Sequence, residues 1–283
     1  MIKIATIAGS DASGGAGLEA DLKTFEEYGL YGMAAVTLIA TMDPDNNWSH
    51  KVFPLNEDAL RSQLETIFKG VGAAAAKSGM LGTFYAVDLT REYIKKYNIE
   101  KYVLDPVMVC KGAGEALNPE LNEAVEKKLL PLAEVVTPNL FEAEQLSGIR
   151  EISCLEQMKK AARIIHEKGA RHVFIKGGAK LREAADTFKS EESGQPKALD
   201  LFFNGEEFFI FEEDLVQTSW NHGAGCTTSA AITAGLACDL SVRDAVALAK
   251  KFITASLKAG FALNKWVGPG NPSDWRKDRL FGN

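Results

Sequence analysis

The residues with the clearest potential for chemistry lie in one glycine-rich turn, "NHGAGCTTSAA", at residues 221–231 of this 283-residue chain. Successive amides in such a turn can bind an anion, and the helix predicted behind them adds the positive end of its dipole. The amides concerned belong to Gly223, Ala224, Gly225 and Cys226. The same field should lower the pKa of the Cys226 thiol, which would make it a nucleophile or a general base. A small buried cysteine at a helix start is a common alternative, but the glycine cradle favours the functional interpretation.

A second glycine-rich loop, "GSDASGGAG" at residues 9–17, follows a predicted strand and enters a predicted helix. It lacks the GK[ST] ending of a Walker A loop and the third glycine of a dinucleotide fingerprint. A plain tight turn would account for the glycines, but poorly for the carboxylate of Asp11 inside the loop. Asp11 is therefore predicted to accept a hydrogen bond from a substrate hydroxyl or ring nitrogen.

Acidic residues follow two further predicted strands. Asp105, in "DPVMVCKGAG", could help to hold Mg²⁺ or lie near a transferred phosphate, and loop 107–116 behind it is typical of a lid that excludes water. The alternative is that Asp105 merely caps the turn at Pro106. In "TPNLFEAEQLSG", Asn139 could contact a nucleotide phosphate and Glu142 could contact Mg²⁺. The local pattern alone favours a capping box between these two residues.

Two other polar residues are less informative by themselves. Lys176 ends the predicted strand "VFIKGG" and could meet phosphate as a point charge. An exposed lysine at a strand end is the simpler interpretation of that pattern. His222 lacks the neighbours of a metal site, so we expect it to serve the turn rather than to act as a base or ligand.

The elements that must position these residues alternate along the chain, with short β-branched runs between amphipathic helical stretches. This alternation predicts a mainly parallel sheet covered by helices on both faces. Because ligands collect at the carboxyl ends of the strands in such sheets, the motifs should meet at one edge. The dipeptide Asn204-Gly205 predicts a hairpin. The polar stretch 181–197 predicts a surface insertion within a single domain that spans residues 1–283.

Composition excludes several classes of protein. Hydrophobic residues make up 46% and charged residues 25% of the chain, as in soluble globular proteins. The net charge of −6 argues against nucleic-acid binding, and no polybasic run indicates a membrane surface. The four cysteines lack metal-binding spacing and are expected to be reduced thiols, which indicates the cytoplasm. No secretion leader is expected, since "MIKIATIAGS" has no basic region followed by a long apolar run and a cleavage site. No membrane span is expected, since no run of about 18 apolar residues occurs.

Six motifs, in order, resemble those of the ribokinase-like superfamily, in particular its branch of vitamin B6 and thiamin-precursor kinases. They are "AGSDASGGAGLEADLKTF", "SGMLG", "DPVMVCKG", "TPNLFEAEQLSG", "IKGG" and "HGAGCTTSAA", and together they cover nearly the whole chain. The resemblance implies a three-layer α/β/α fold with a mostly parallel central sheet. It also implies a homodimer and the ATP-dependent phosphorylation of a hydroxymethyl group.

The resemblance further implies roles for individual residues. It makes Cys226 the catalytic base, beside the Gly223–Gly225 amides, where many superfamily members carry an aspartate. It assigns Mg²⁺ chiefly to Glu142, with Asp105 nearby. It places the substrate ring among Asp11, Asp43, Met80 and Val107. It places ATP near Asn139, Lys176, Gly177, Gly178, Ala179, Lys180, Asp200 and Gly225.

Two departures from the pyrimidine kinases indicate pyridoxal, with pyridoxine and pyridoxamine, as the substrate. Glu19 replaces the glutamine of "GIQADLKTF", and "TMDPDNNWSH" replaces "TAQNT", which puts Asp43 where a ring-reading glutamine is usual. Cys110, on the predicted lid, could add reversibly to the pyridoxal aldehyde as a hemithioacetal, which hydroxymethylpyrimidine cannot form. The alternatives are a hydroxymethylpyrimidine (phosphate) kinase, a dual kinase, a dinucleotide-dependent oxidoreductase and a non-catalytic binder of pyridoxal phosphate.

Overall fold

The structure, a computed structural model, describes residues 1–108, 118–178, 181 and 196–276. Within these residues the strands are β1 (Lys3–Asp11), β2 (Tyr31–Asp43), β3 (Ser49–Pro54), β4 (Ala75–Ser78), β5 (Tyr102–Leu104), β6 (Val135–Val136), β7 (His172–Gly178), β8 (Lys197–Phe203) and β9 (Phe208–Asp214). The α-helices are α1 (Gly17–Glu27), α2 (Glu57–Leu64), α3 (Phe84–Lys96), α4 (Pro119–Leu129), α5 (Leu140–Ser147), α6 (Leu155–Glu167), α7 (Ala224–Ala237) and α8 (Val242–Lys258). A π-helical stretch, Glu65–Val71, continues α2, and 3₁₀ turns occupy Leu130–Leu132 and Pro272–Arg276.

The strands form one sheet in the order β3-β2-β1-β4-β5-β6-β7-β8-β9. From β2 to β7 in this order neighbouring strands are parallel, whereas β3 at one edge and β8 and β9 at the other are antiparallel to their neighbours. The prediction of a mostly parallel sheet is therefore confirmed. The predicted hairpin is present, with Asn204 and Gly205 in the turn between β8 and β9. Gly205 has a φ of 99°, and the Asn204 side chain accepts hydrogen bonds from the backbone amides of Glu206 and Glu207.

Helices cover both faces of the sheet because the central strands are apolar on both sides. Along β7, Val173 and Ile175 pack into the core shared with helices α2 to α6, while Phe174 between them packs against α7 and α8. The three-layer α/β/α architecture is thus confirmed. None of the helices in the described part of the chain has the length and apolar composition needed to cross a bilayer. The domain bounds and the insertion at 181–197, which is largely outside the described residues, stay predictions.

The hairpin formed by β2 and β3 was not predicted from the sequence. The chain was expected to leave the sheet before Asp43, but β2 continues to that residue and β3 returns along it, with Met42 opposite His50. Trp48 in the turn has a φ of 61°, which is uncommon for a bulky residue. Its ring stacks on that of Trp266, with centroids 5.6 Å apart. A contact with a residue so far along the chain leaves no local sequence signal.

The carboxyl ends of the parallel strands meet at one edge, as predicted. Asp11 ends β1, and polar or glycine-rich segments follow β4, β5 and β6 there. Asn139, just after β6, forms a backbone bridge with Lys176 of β7. Helix α7 begins beside them, so the turn at residues 221–226 joins the same edge.

Candidate active site

A small cavity opens at this edge, next to the start of α7. Its volume is about 100 Å³, and Cys226 lies in its lining. The structure brings Asp11, Met80 and Val107 to the same lining. Residues Leu38, Ala40, Met42 and His50 of the β2–β3 hairpin complete one wall. The cavity therefore combines a largely apolar wall with a few polar groups, which is typical of small-molecule sites.

Asp43 lies outside this lining, and its contact with the substrate ring stays a prediction. Because β2 stays extended, alternate side chains face opposite sides: Ala40 and Met42 line the cavity, and Asp43 lies on the other face. The carboxylate of Asp43 instead pairs with Lys51 across the hairpin, with 3.1 Å between Oδ2 and Nζ. Met42 and His50, which are opposite each other in the hairpin, contribute to the lining instead.

The carboxylate of Asp11 is held by the protein itself. Its Oδ1 accepts a hydrogen bond from the Ser13 amide at 2.8 Å, and its Oδ2 accepts one from the Ala16 amide at 2.9 Å. The same Oδ2 lies 2.7 Å from Nε2 of His222. Burial would raise the pKa of Asp11, but the hydrogen bonds from His222 and Ser13 outweigh burial and hold the pKa below its ordinary value. Turn geometry therefore does explain this carboxylate, contrary to the sequence-based argument, and direct substrate binding by Asp11 stays a prediction.

Gly223 allows two loops to pack backbone against backbone at the site. It caps α7 with a φ of 75°. A Cβ atom at this position would lie 2.0 Å from the carbonyl oxygen of Gly15. The amide of the next residue, Ala224, donates to the carbonyl of Asn221 at 3.2 Å, so the turn uses one of the amides predicted for the anion cradle.

Gly223→Ala is expected to destabilise the fold more than Gly29→Ala and to weaken ATP binding. Gly29 is a matched control, since it has a φ of 74° but no atom within 4 Å of the added Cβ. A left-handed conformation should cost each alanine about 1–2 kcal/mol, and the clash with Gly15 adds to this only at position 223. Urea unfolding and titration calorimetry with ATP measure both effects. Equal losses of stability with unchanged ATP affinity would contradict the role given to Gly223.

The thiol of Cys226 is protonated at neutral pH, which corrects the prediction of a depressed pKa. Burial raises the pKa of Cys226 to about 11. The positive charge of Lys77 opposes this rise, whereas the carboxylate of Asp105 adds to it. The prediction is wrong because loss of contact with water outweighs the favourable field at a helix start.

Lys176 and Asp105 form an ion pair beside the anion cradle. Their Nζ and Oδ1 atoms are 2.9 Å apart, and Ser229 donates to the other carboxylate oxygen at 3.1 Å. A Cβ on Gly225 would lie 3.3 Å from the Lys176 Nζ, so the ammonium is close to the first turn of α7. Burial lowers the pKa of Lys176, but the Asp105 charge outweighs burial and keeps the pKa above its ordinary value. Lys176 is therefore a largely buried, protonated residue, and the simpler interpretation as an exposed lysine is wrong.

Asn139 and Glu142 form the capping box that the local pattern favoured. The Asn139 side chain accepts from the Glu142 amide at 3.0 Å, and the Glu142 carboxylate accepts from the Asn139 amide at 2.8 Å. Glu142 is buried at the first turn of α5. The capping box fixes both residues at the sheet edge, and their contacts with ATP and Mg²⁺ stay predictions.

A second cavity is also lined by the first turn of α7 and has a volume of about 260 Å³. Residues predicted around ATP lie in its lining: Asn139, Lys176, Gly178, Asp200 and Gly225. Asp200 is engaged by the protein, since it pairs with Lys250 at 2.7 Å and accepts from the Gly178 amide at 3.0 Å. Gly177 lines a neighbouring cavity of about 410 Å³. Ala179, Lys180, Cys110 and most of the predicted lid lie outside the described residues.

Residues 11–271 match the family described as phosphomethylpyrimidine kinase. The chain belongs to this family. Within it, the pyridoxine kinase of Bacillus subtilis is 49% identical over 276 residues, which cover 98% of this chain and 97% of that protein. The hydroxymethylpyrimidine/phosphomethylpyrimidine kinase of the same organism is 34% identical over 280 residues, covering 99% of this chain and 98% of that protein.

Solved structures share the same ribokinase-like fold. The ADP complex of Bacillus subtilis pyridoxal kinase has a TM-score of 0.90 at 48% identity and covers 98% of this chain and 99% of its own. The pyridoxal kinase of Staphylococcus aureus, in complex with AMP-PCP and pyridoxal, has a TM-score of 0.88 at 46% identity and covers 98% of this chain and 95% of its own.

The family motifs did not single out two charged residues beneath the first cavity. Lys77 of β4 and Asp21 of α1 are fully buried and pair at 2.7 Å. A sequence signal for both exists. Lys77 interrupts the apolar strand run "AAAAKSG", and Asp21 falls on the helix face that carries Leu18 and Leu22. A charge at each of two otherwise buried positions favours a pair between them, since buried charges are normally paired.

Proposed function

We propose that this protein transfers the γ-phosphoryl group of ATP to the 5′-hydroxyl of pyridoxal, and also of pyridoxine and pyridoxamine, in vitamin B6 salvage. The observation that carries the proposal is that consecutive residues in the first turn of α7 line two different cavities. Cys226 lines the smaller cavity and Gly225 lines the larger one. A hydroxymethyl group in the first would thus lie beside a nucleotide in the second. The pyridoxal kinases of the same fold, one of them in complex with AMP-PCP and pyridoxal, support this proposal.

The residues at this junction supply the two requirements of phosphoryl transfer, which are positioning and stabilisation of charge. Lys176, held by Asp105, provides a fixed positive charge for the transferred group. The thiolate of Cys226 takes the proton of the 5′-hydroxyl while that oxygen bonds to phosphorus and the bond to the leaving oxygen of ADP breaks. A pKa of about 11 leaves about one thiolate in 10⁴ molecules at pH 7. The same high pKa makes that thiolate a strong base.

We propose that Mg²⁺ binds together with ATP and contacts Glu142 through water. Mg²⁺ usually binds to one or two carboxylates plus substrate phosphates and keeps several waters; bound there, it would neutralise phosphate charge. Asp105 fits direct coordination poorly, because its two oxygens accept hydrogen bonds from Lys176 and Ser229. Among the described residues no group of three acidic, histidine or cysteine side chains is arranged as a metal site. This agrees with an ion held largely by the nucleotide.

The proposed function is tested by steady-state kinetics on pyridoxal, pyridoxine and hydroxymethylpyrimidine, with ATP and Mg²⁺. We expect the highest kcat/KM for pyridoxal. A higher value for hydroxymethylpyrimidine would replace the proposal with the second candidate, which the family name and the 34% identical relative favour. The same substrates tested on Cys110→Ala examine the hemithioacetal hypothesis, which fails if activity on pyridoxal and on pyridoxine is equally unchanged.

We also propose that the protein is a cytoplasmic homodimer. Ile39 and Phe53 form a cross-strand pair on the β2–β3 hairpin and are 41% and 53% exposed. A second copy that covers this pair would bury apolar surface next to an edge strand. Cys154, Cys226 and Cys238 are free thiols, as expected in a reducing compartment. Sedimentation equilibrium that gives a monomer, or cell fractionation that finds the protein elsewhere, would contradict these proposals.

A further inference from the structure

A buried ion pair lies beneath the floor of the smaller cavity. Lys77 and Asp21 have no exposed side-chain surface, and Nζ donates to Oδ1 at 2.7 Å. Thr6 donates to the other oxygen of Asp21 at 2.6 Å. Replacing a buried ion pair with apolar residues is often neutral or stabilising. The pair is therefore poorly explained by stability alone.

The position of Lys77 connects it to Cys226. Both residues line the smaller cavity, but Lys77 is fully buried and cannot touch a substrate in it. Burial lowers the pKa of Lys77, but the charges of Asp21 and Asp105, together with the thiolate form of Cys226, outweigh burial and keep the pKa above its ordinary value. Lys77 is thus a fixed cation. The charged groups that act on the thiol are Lys77, Asp105, Asp21 and Lys176, and the titratable residues Asp11 and His50 share its cavity.

We propose that Lys77 is a positioning residue that acts through Cys226, by stabilising the thiolate with its positive charge, while Asp21 holds that charge in place. The proposal rests on the role of Cys226 as the base. It assigns a use to a lysine that is enclosed in an apolar strand and out of reach of substrate. Without Lys77, burial and the two nearby carboxylates would act on the thiol with less opposition.

The test is the alkylation rate of Cys226 in the full-length protein, measured by iodoacetamide labelling and peptide mass spectrometry between pH 7 and 9. In this range the rate rises with the fraction of thiolate, but a thiolate of higher pKa is more nucleophilic, which offsets nearly half of the change on a logarithmic scale. We expect Lys77→Met to react about three to ten times more slowly than the wild type at each pH. The double variant Lys77→Met/Asp21→Asn should also react more slowly, but by a smaller factor, because it removes the Asp21 charge that opposes the thiolate as well. It avoids leaving an unpaired buried carboxylate if the single variant does not fold.

Two controls separate electrostatics from structure. Thr6→Val removes a hydrogen bond to Asp21 but no charge, so it should lower thermal stability and leave the Cys226 rate unchanged. The exposed thiol of Cys238 is an internal reference in every sample. If Lys77 were merely structural, its loss would loosen the packing and make Cys226 react faster. An unchanged or faster rate in the folded double variant overturns the inference.

This readout does not depend on turnover. If the wild type fails to phosphorylate pyridoxal, the proposed function falls, while the alkylation rates still decide whether Lys77 stabilises the Cys226 thiolate. If turnover is found, the double variant should lower kcat at pH 7 to about the same extent as the alkylation rate and change KM for ATP little. Full retention of kcat in that variant would also overturn the inference.

Discussion

Cys226→Ala is expected to bind ATP as tightly as the wild type and to phosphorylate pyridoxal about 10²–10⁴ times more slowly. Alanine keeps the backbone amide at position 226 and removes only the group that accepts the proton. Calorimetry gives the affinity for ATP, and steady-state assays give kcat. Near-wild-type turnover would remove Cys226 from the mechanism.

The pH dependence provides a second check on the same residue. Because burial raises the pKa of Cys226 to about 11, the thiolate fraction grows as pH rises through the neutral range. The wild-type kcat/KM for pyridoxal should therefore increase by about tenfold per pH unit between pH 7 and 9. The residual activity of Cys226→Ala should lack this slope. Cys238→Ala is a matched control, since Cys238 is an exposed thiol at the opposite end of α7 from Cys226.

The sequence predicted those parts of the site that depend on local pattern. Gly223 is required by its own backbone conformation, and the capping box at Asn139 spans only three residues. Apolar runs and helix periodicity predicted the parallel sheet and therefore the edge where the motifs meet. The sequence therefore predicts that Cys226, Lys176 and Asn139 lie close together.

What the sequence did not predict depends on contacts between distant segments. The continuation of β2 to Asp43 was not predicted, because the end of β2 is set by its pairing with β3. The prediction of a depressed pKa for Cys226 was wrong because it considered the field of the helix start and not the burial of the thiol by other elements. The pairing of Asp105 with Lys176 was not predicted, because the two residues lie far apart along the chain. Each error concerns the surroundings of a residue that was itself correctly singled out.

Lys176→Met is expected to reduce both activity and stability, for two different reasons. Loss of the positive charge beside the cradle should lower kcat/KM for ATP by about 10²–10³-fold. Loss of the partner leaves the Asp105 carboxylate buried and unpaired, which should lower the free energy of unfolding by about 3–5 kcal/mol. Urea unfolding and steady-state kinetics measure the two losses separately.

Adding Asp105→Asn to Lys176→Met separates these two roles. The double variant removes the unpaired charge and keeps an oxygen that can accept from Ser229, so most of the lost stability should return. Activity should not return, because the positive charge is still missing.

Lys176 and its neighbours hold the pKa of Asp105 below its ordinary value although burial opposes this. The ion pair therefore stabilises the wild type at pH values above the pKa of an unfolded aspartate, and this stabilisation is lost as the pH falls through the pKa of Asp105 in the folded protein. The stability of the double variant should not show this dependence on pH. If activity returned together with stability, Lys176 would be a structural partner of Asp105 and not a phosphate contact.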